Sequence, residues 1–403
     1  MPSQDSQSSQ RNANRRRVVQ ALRQHGAMSR SALSEIGLSR STVAGVVGEL
    51  LDAGTVVEVL DPPRRGRSTG RPPTLVGLDG DLGAAIGIEI ANGMVRVAVC
   101  NVARDLLVHK TVVVDDHNTP AETLRIVDAL TDQLLAGTKF QRDQVLGVGI
   151  AMPGPIQRRT GLTGRACTLK PWVGLDPQTL AEAALRLPVL VDNDANLAAL
   201  AELTWGAARG LRDYAYIYAA TGIGAGFVLN GAVYAGANGT AGEIGHTTMN
   251  EDGLVCECGG RGCLNTLANP DAISRQLSQS LRRRPSIGEI ISLAHEGDAG
   301  CRRVLADAGS HIGVAMANLY NLLDPELIVL GGNLAAAGAI IIDPLRQSMM
   351  RRAIHAGEAV PPVVAGELDE EVVVVIGAAA AVLRDATLFP LPTLTNRRLN
   401  QTI

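Results

Sequence analysis

Aromatic side chains are nearly missing from this chain: Phe, Tyr and Trp together make up 2% of its 403 residues. So sparse a supply argues against a platform on which successive bases of a single strand could stack. Long apolar runs are missing too. The longest, near Val372 to Leu383, falls short of the ~20 residues that cross a bilayer, and no basic start followed by an apolar stretch opens the chain. We therefore expect a cytoplasmic protein with no membrane attachment. Lysine is absent from residues 1–75, yet that stretch holds 11 Arg against 6 acidic residues, a balance of +5, leaving 26 basic against 34 acidic, or −8, for the remainder. One end can meet a polyanion that the rest would repel. The length allows two or three domains with a sizeable core, and a hydrophobic content of 46% is that of a globular protein.

Residues 1–10 are polar and lack periodicity, which predicts a disordered tail. The segment 11–78 has the order of a winged helix-turn-helix. Val18, Val19, Ala21 and Leu22 share one face of a helix over Asn12 to His25, a short helix follows Ser29, and a third begins after Ser39 and stops near Gly54. Val43, Val46, Val47, Leu50 and Leu51 form its buried stripe. Strands at Val56–Val59 and Thr74–Val76 then flank a basic turn. In this plan the last helix lies in the major groove, so Ser39, Arg40, Ser41 and Thr42 at its start would face base edges, while Arg64, Arg65, Arg67 and Arg71 at the wing tip suit phosphates or a minor groove. The other reading is a protein-docking module of three amphipathic helices with a solvated basic face.

From residue 79 to 403 short apolar strands alternate with helical stretches. Ala84–Ile90, Val95–Val99 and Val112–Val114 read as a meander, Leu124–Leu135 as a helix, and Val145–Ile150 as a strand before Pro153-Gly154-Pro155. Strands at Tyr214–Tyr218 and Gly226–Leu229, a helix over Ile312–Leu323 and a strand at Leu327–Leu330 repeat the pattern. Two βββαβα-like halves predict an α/β body of two lobes around a cleft, with ligands at the carboxyl ends of strands.

The densest chemistry lies between Gly242 and Asn265. Cys256, Cys258 and Cys263 fall within eight residues, with His246 just upstream: three thiolates and an imidazole, the ligand set of a closed, structural Zn2+ site with one ion per chain. Gly259, Gly260 and Gly262 allow the loop to fold back on itself. Buried thiols beside an ordinary histidine would be the plainer reading. A disulfide fits less well with an odd cluster in a chain that lacks a secretion signal. Cys100, Cys167 and Cys301 are scattered and read as core thiols.

Gly242-Glu243-Ile244-Gly245-His246 followed by a CxCGxxGC run resembles the signature of the ROK family, which groups sugar-responsive repressors with sugar kinases. The N-terminal segment through the run GRPP likewise resembles the DNA-binding end of ROK repressors, an extension that free-standing ROK kinases usually lack. The resemblance implies an actin-like, sugar-kinase and Hsp70-type fold for nearly the whole body. It also implies sugar contacts from Gly154, Asn193, Asp194, Glu243 and His246, with His246 a metal ligand as well and Asp194 the base that takes a hydroxyl proton in the kinases. On sequence alone the plainer reading of Asp194 is a cap for a helix over Leu197 to Gly206.

This chain departs from the family pattern at several points. The pattern ends CxE where this chain has Asn265. The first phosphate loop of the kinases, GIDIGGTK, is matched by Gly87 to Met94, in which Glu89 replaces the metal-holding Asp and Gly93 the Thr. The second loop, Thr221 to Gly226, is retained, although such a run is also a hairpin turn. Gly331-Gly332-Asn333 keeps part of the adenosine-side turn and reads as well as a strand-to-helix connection. Phosphoryl transfer depends on positioning and charge neutralisation, so the first-loop changes predict no enzyme.

We therefore expect a sugar-responsive regulator that binds double-stranded operator DNA, a repressor working as a homodimer or tetramer. The competing reading is an ATP-dependent sugar kinase carrying a DNA-binding arm, with Asp194 catalytic. A regulator that has lost its ligand, on the strength of Asn265, is a third.

Overall fold

Nothing between Gln4 and His25 stops a helix, for the run contains neither Gly nor Pro, and α1 spans Gln4–His25. The computed structural model describes residues 4–60, 74–165, 167–354 and 360–385. The tail expected over residues 1–10 is thus helical from Gln4 onward. Its polar composition gives no periodic signal; just beyond it Arg11 and Arg15 both pair with Glu49 of the third helix, Arg15 Nε at 2.7 Å.

Helices α2 (Arg30–Ser34) and α3 (Arg40–Asp52) start where the serines predict. Ser29 Oγ accepts from the Ala32 amide and Ser39 Oγ from the Thr42 amide, both at 3.1 Å. Val18 and Leu22 of α1, Leu33 of α2 and Val43, Val46, Val47 and Leu50 of α3 are buried together. Strands β1 (Val56–Leu60) and β2 (Thr74–Leu78) pair antiparallel, and Met28 bridges to Val76 to close the hairpin on the helices. The expected wing-tip arginines Arg64, Arg65, Arg67 and Arg71 lie outside the described residues.

The body repeats one topology twice. In the first lobe β3 (Ala84–Ala91), β4 (Met94–Asn101), β5 (Leu106–Val113), β6 (Val145–Met152) and β7 (Val189–Asn193) form a sheet of order β5-β4-β3-β6-β7, with α4 (Pro120–Ala136) and α5 (Pro177–Leu185) as crossovers. The first three strands run antiparallel and the last two add in parallel. Helix α6 (Asp194–Thr204) leads to the second lobe. There β8 (Tyr214–Ala219), β9 (Ile223–Leu229) and β10 (Ala232–Val233) are followed by α7 (Asn265–Ala268), α8 (Pro270–Leu277), α9 (Ile287–Glu296), α10 (Ala299–Leu323), β11 (Leu327–Gly331), α11 (Ala339–Met350) and β12 (Val363–Ala365). Its sheet has the matching order β10-β9-β8-β11-β12. The chain ends its described course in α12 (Glu370–Arg384).

Two elements differ from the sequence expectation for physical reasons. β5 starts at Leu106 rather than Val112: His109, Lys110 and Thr111 separate the apolar run Leu106–Val108 from Val112 and Val113, and the edge strand is mostly exposed. α10 begins at Ala299 rather than Ile312, its first turns buried through Cys301, Val304, Leu305 and Ala308 at helical spacing. Among the described residues no helix is long and apolar enough to cross a membrane.

Helix α12 lies at the centre of the body. A Cβ at Gly87 of β3 would stand 1.8 Å from Val375 O, one at Gly149 of β6 2.1 Å from Ala378 O, and one at Gly377 of α12 itself 1.9 Å from Leu197 O of α6. Backbone therefore meets backbone at three places, two on the sheet side of the helix and one against α6. Its last carbonyls hold the N-terminal module: Arg23, 3% exposed, donates from Nε to Leu383 O at 2.7 Å and from Nη2 to Asp385 O at 3.1 Å. Arg104 donates in turn to the carbonyl of Arg23.

This packing predicts that Gly377→Ala costs about 1–3 kcal/mol through overpacking, whereas Gly288→Ala in α9, with nothing within 4 Å of the new methyl, leaves stability unchanged or raises it. Urea denaturation of the two variants makes the comparison. Equal midpoints would show that α12 is not closely seated.

Candidate functional site

The carboxyl ends of β6 and β7 open into a cavity of about 320 Å³ between the lobes. Alternation along β7 places Asn193 toward it, while the Asp192 carboxylate accepts from the Asn193 amide at 2.7 Å and from Asn196 Nδ2 at 2.9 Å and lines a different cavity. Asn193 caps α6, its Oδ1 accepting from the Ala195 amide at 2.9 Å, and its Nδ2 donates to Gly154 O at 3.2 Å. Gly154 turns the chain after β6 with φ +88°, a left-handed conformation that favours glycine. Asp194 opens α6, accepts from the Ala195 amide at 2.8 Å and also lines the cavity. The cap expected of Asp194 is thus supplied by Asn193, and Asp194 occupies the first helical position at the cavity.

Across the cavity the turn between β8 and β9 is the glycine-rich run, a hairpin turn and a cavity wall at once. Behind it a short 3-10 turn, Ile244–His246, presents Glu243 and His246. All five expected sugar contacts, Gly154, Asn193, Asp194, Glu243 and His246, thus line one cavity. Asn265, where the family pattern has Glu, lines it too and accepts from the Ile223 amide at 2.8 Å.

The imidazole of His246 faces two ways. Nε2 stands 3.9 Å from Glu243 Oε2, and Nδ1 stands 3.6 Å from Cys256 Sγ. Cys258 and Cys263 sulfurs are 3.8 Å apart, and the four ligand atoms lie within 4.8 Å of one another. A disulfide needs sulfurs at about 2.05 Å, and all the cysteines are free. Tetrahedral coordination with metal–sulfur bonds of about 2.3 Å puts sulfurs roughly 3.8 Å apart, so one ion fits the spacing. Gly262 permits the fold-back: with φ +62°, a Cβ there would stand 1.5 Å from Asn250 O.

On the side of β3 and β4, Glu89 and Arg96 form a buried pair at 2.7 Å. Arg96 also donates to Thr111 Oγ1 at 2.9 Å and to Glu370 O at 3.3 Å, and Asn333, with its amide nitrogen turned to satisfy both polar atoms, donates to Glu370 Oε2 at 2.6 Å. The expected first phosphate loop is thus a hairpin whose Glu89 is held by Arg96. Gly332, from the adenosine-side run, has φ +77° and packs where a Cβ would stand 2.5 Å from Ala219 O.

Electrostatics follow from this crowding. Burial, with the charges of Glu89 and Glu243 adding to it against the pull of the Ala195 amide, pushes the Asp194 carboxyl up to about 7. Burial pushes Glu89 to about 7 against the pull of Arg96, and raises Glu243 as well. Burial lowers His246, which keeps the ring neutral.

In the N-terminal module Ser39, Arg40 and Ser41 are exposed and Thr42 half-buried. The Ser39 hydroxyl bonds those of Ser41 and Thr42 at 2.9 and 2.8 Å, so the Arg40 side chain stands outward at the start of α3 beside a closed cap.

The ROK family pattern matches residues 85–385. The chain belongs to the ROK family. Within it, the chain is 28% identical over 387 residues to a xylose repressor of Caldicellulosiruptor bescii, covering 93% of this chain and 96% of that protein. It is 32% identical over 278 residues to a glucokinase of Halalkalibacterium halodurans, covering 65% of this chain and 84% of the relative. Among solved structures, a ROK family transcriptional regulator, a homolog of the E. coli MLC protein, superposes with a TM-score of 0.76 at 25% identity over 94% of this chain and 98% of its own. The ROK body is accordingly the two-lobed fold shared by these regulators and sugar kinases.

Sequence reasoning missed Arg96 and Glu370. Arg96 had a signal, a lone charge inside the apolar strand VRVAV. Glu370 lies far along the chain at the start of the last helix, and nothing local pointed to the cleft.

A carboxyl that keeps its proton to about pH 7 in the folded chain, but releases it near pH 4 when unfolded, makes the fold lose stability as pH climbs between those values. Asp194→Asn removes this titration and should flatten the decline, by up to one proton's worth of slope. Urea unfolding of both proteins across that range measures it, and parallel profiles would show that Asp194 does not hold the proton.

Proposed function

We propose that the chain is a sugar-responsive, DNA-binding transcriptional repressor. The observation that carries the reading is one helix, α12, with an end at each site. Its first residue, Glu370, lines the cavity toward which Asn193, Asp194, Glu243 and His246 converge, and its last carbonyls accept from Arg23 of the N-terminal module. The pattern of likeness supports the same conclusion. The repressor and regulator relatives cover 93% and 94% of the chain, which is impossible without most of residues 4–78, whereas the glucokinase relative covers 65%.

In this reading a sugar sits against Gly154, Asn193, Asp194, Glu243 and His246, its hydroxyls donating to the carboxylates. Cys256, Cys258, Cys263 and His246 Nδ1 would hold a structural Zn2+, which leaves Nε2 of the same ring aimed at Glu243 and the sugar. Arg40, with Ser39, Ser41 and Thr42, enters the major groove of operator DNA. Two half-sites require a homodimer, and a repressor of DNA works in the cytoplasm. Sugar changes DNA affinity only if the two shapes of the protein bind it unequally.

A kinase reading is favoured by one observation, the Asp194 carboxyl in the cavity near neutral pKa, suited to a general base. Against it, Glu89 is committed to Arg96 and Gly93 supplies no hydroxyl. A coupled ATPase assay over a sugar panel separates the two. Turnover abolished by Asp194→Asn would favour the kinase.

The decisive test is footprinting on the chain's own upstream DNA across free and phosphorylated sugars. Protection that sugar relieves is expected, and protection nowhere at any salt or sugar would defeat the proposal. Arg23→Met should keep sugar affinity, read by calorimetry, while shrinking the sugar-dependent change in DNA affinity toward onefold. Cys258→Ser should lose the metal and weaken sugar binding. Elemental analysis finding one zinc per chain in both proteins would contradict the metal assignment.

A further inference from the structure

We infer that a second cavity, where the N-terminal module meets the body, binds a small organic monocarboxylate. The inference does not draw on the sugar-responsive reading, and its test uses neither sugar nor DNA.

This cavity measures about 390 Å³ against about 320 Å³ for the cleft between the lobes, and both parts of the chain line it. Gln20 and Gln24 of α1 belong to the module. From the body, Leu190 of β7 with Leu197 and Leu200 of α6 give apolar surface, and Arg158, Asp192, Arg384 and Asp385 bring charge. Two cations and two anions balance in number, but the acids are already occupied. Asp192 accepts from the Asn193 amide and from Asn196 Nδ2, and the charge of Asp385 offsets the buried Arg23. The guanidiniums keep free donors. Arg384, half-buried, donates to Gly231 O at 3.3 Å and enters no ion pair among the described residues. Arg158 is exposed, and its charge reaches Asp192 without forming an ion pair.

A second observation comes from just outside the cavity. Burial, with the charges of Arg384 and Arg23 adding to it, pushes Arg104 down to about 9. Burial lowers Arg384 as well, with the Tyr214 phenol pulling the other way. Positive charge is therefore in excess where module and body meet, and an anion beside Arg384 would relieve it. Forked guanidinium donors suit the two oxygens of a carboxylate, and the leucines suit a short hydrocarbon body. A phosphate dianion would meet Asp192 and Asp385 with twice the charge and leave the leucines uncovered. Gln20 and Gln24 lie on the helix that carries Arg23, so a ligand in this cavity touches module and body together and stabilises their contact.

Isothermal calorimetry and thermal melting of the full chain test the site with benzoate, with benzyl alcohol and benzylamine as uncharged and cationic counterparts and inorganic phosphate as a bare anion. Benzoate should bind at about one per chain, raise the melting temperature, and bind at least about tenfold more tightly than the other three, as a charge-assisted hydrogen bond implies. Arg158→Gln, at an exposed position, and Gln20→Glu, which sets a negative charge on the α1 side, should each weaken benzoate by roughly tenfold while leaving the melting temperature without it unchanged. Failure of benzoate to bind would overturn the inference, as would the alcohol, the amine or phosphate binding as tightly. An affinity for benzoate unchanged in either variant would place it elsewhere and overturn the site. None of these outcomes bears on the repressor reading.

Discussion

The close seating of α12 is the constraint on which the rest of the molecule depends. A helix whose backbone touches the backbones of β3, β6 and α6 can do so only where side chains are reduced to hydrogen, and Gly87, Gly149 and Gly377 provide those three places. Its own composition suits the seat, with Val373–Ile376 and Ala378–Ala380 buried all round. The poles of the helix are matched as well. Asp369 caps its amino end beside Glu370 and Glu371, and the Arg23 guanidinium meets its last carbonyls. A rod held this firmly moves with the sheets or not at all, so a change in lobe geometry reaches Arg23 as displacement.

Economy of polar groups characterises the cleft. Asn193 caps α6 and also fastens the Gly154 turn, and Asn265 starts α7 while satisfying the Ile223 amide. His246 joins the thiolate cluster through one nitrogen and the cavity through the other. Asn193 and Asn265 are thereby oriented by backbone partners, which fixes their rotamers. The cost is crowding of carboxylates, visible in the upward shifts of Asp194 and Glu89.

The same economy explains how much could be read from the letters alone. Where function rides on a local turn, as in the cysteine loop, the Gly242–His246 run and the Asp192–Asn196 run, short-range spacing carries it and the structure brings those residues together. At α6 the cap proves to be Asn193, with Asp194 in the first turn and both at the cavity, and the Thr221–Gly226 run is a hairpin turn that also lines the cavity. What spacing could not carry was contact at long sequence separation: Arg96 with Glu370, and Arg23 with Leu383. Helix α1 was legible only from Asn12, since its first turns have no apolar face. β5 was shortened because an edge strand need not alternate cleanly.

These features together suggest where the energy for a change of shape originates. A ligand shifts an equilibrium between two conformations only by binding them unequally. Carboxyls crowded along two lobes are charged only at a cost that grows as the lobes approach, and hydroxyl donors interposed between them reduce that cost where it is greatest. In the proposed reading a sugar would gain more from a closed arrangement of the lobes than from an open one, and the difference would act on both walls of the cleft. Glu370 belongs to one of those walls and to the helix that ends at Arg23, so on that reading the relief of charge and the placement of the N-terminal module would be coupled through a single element.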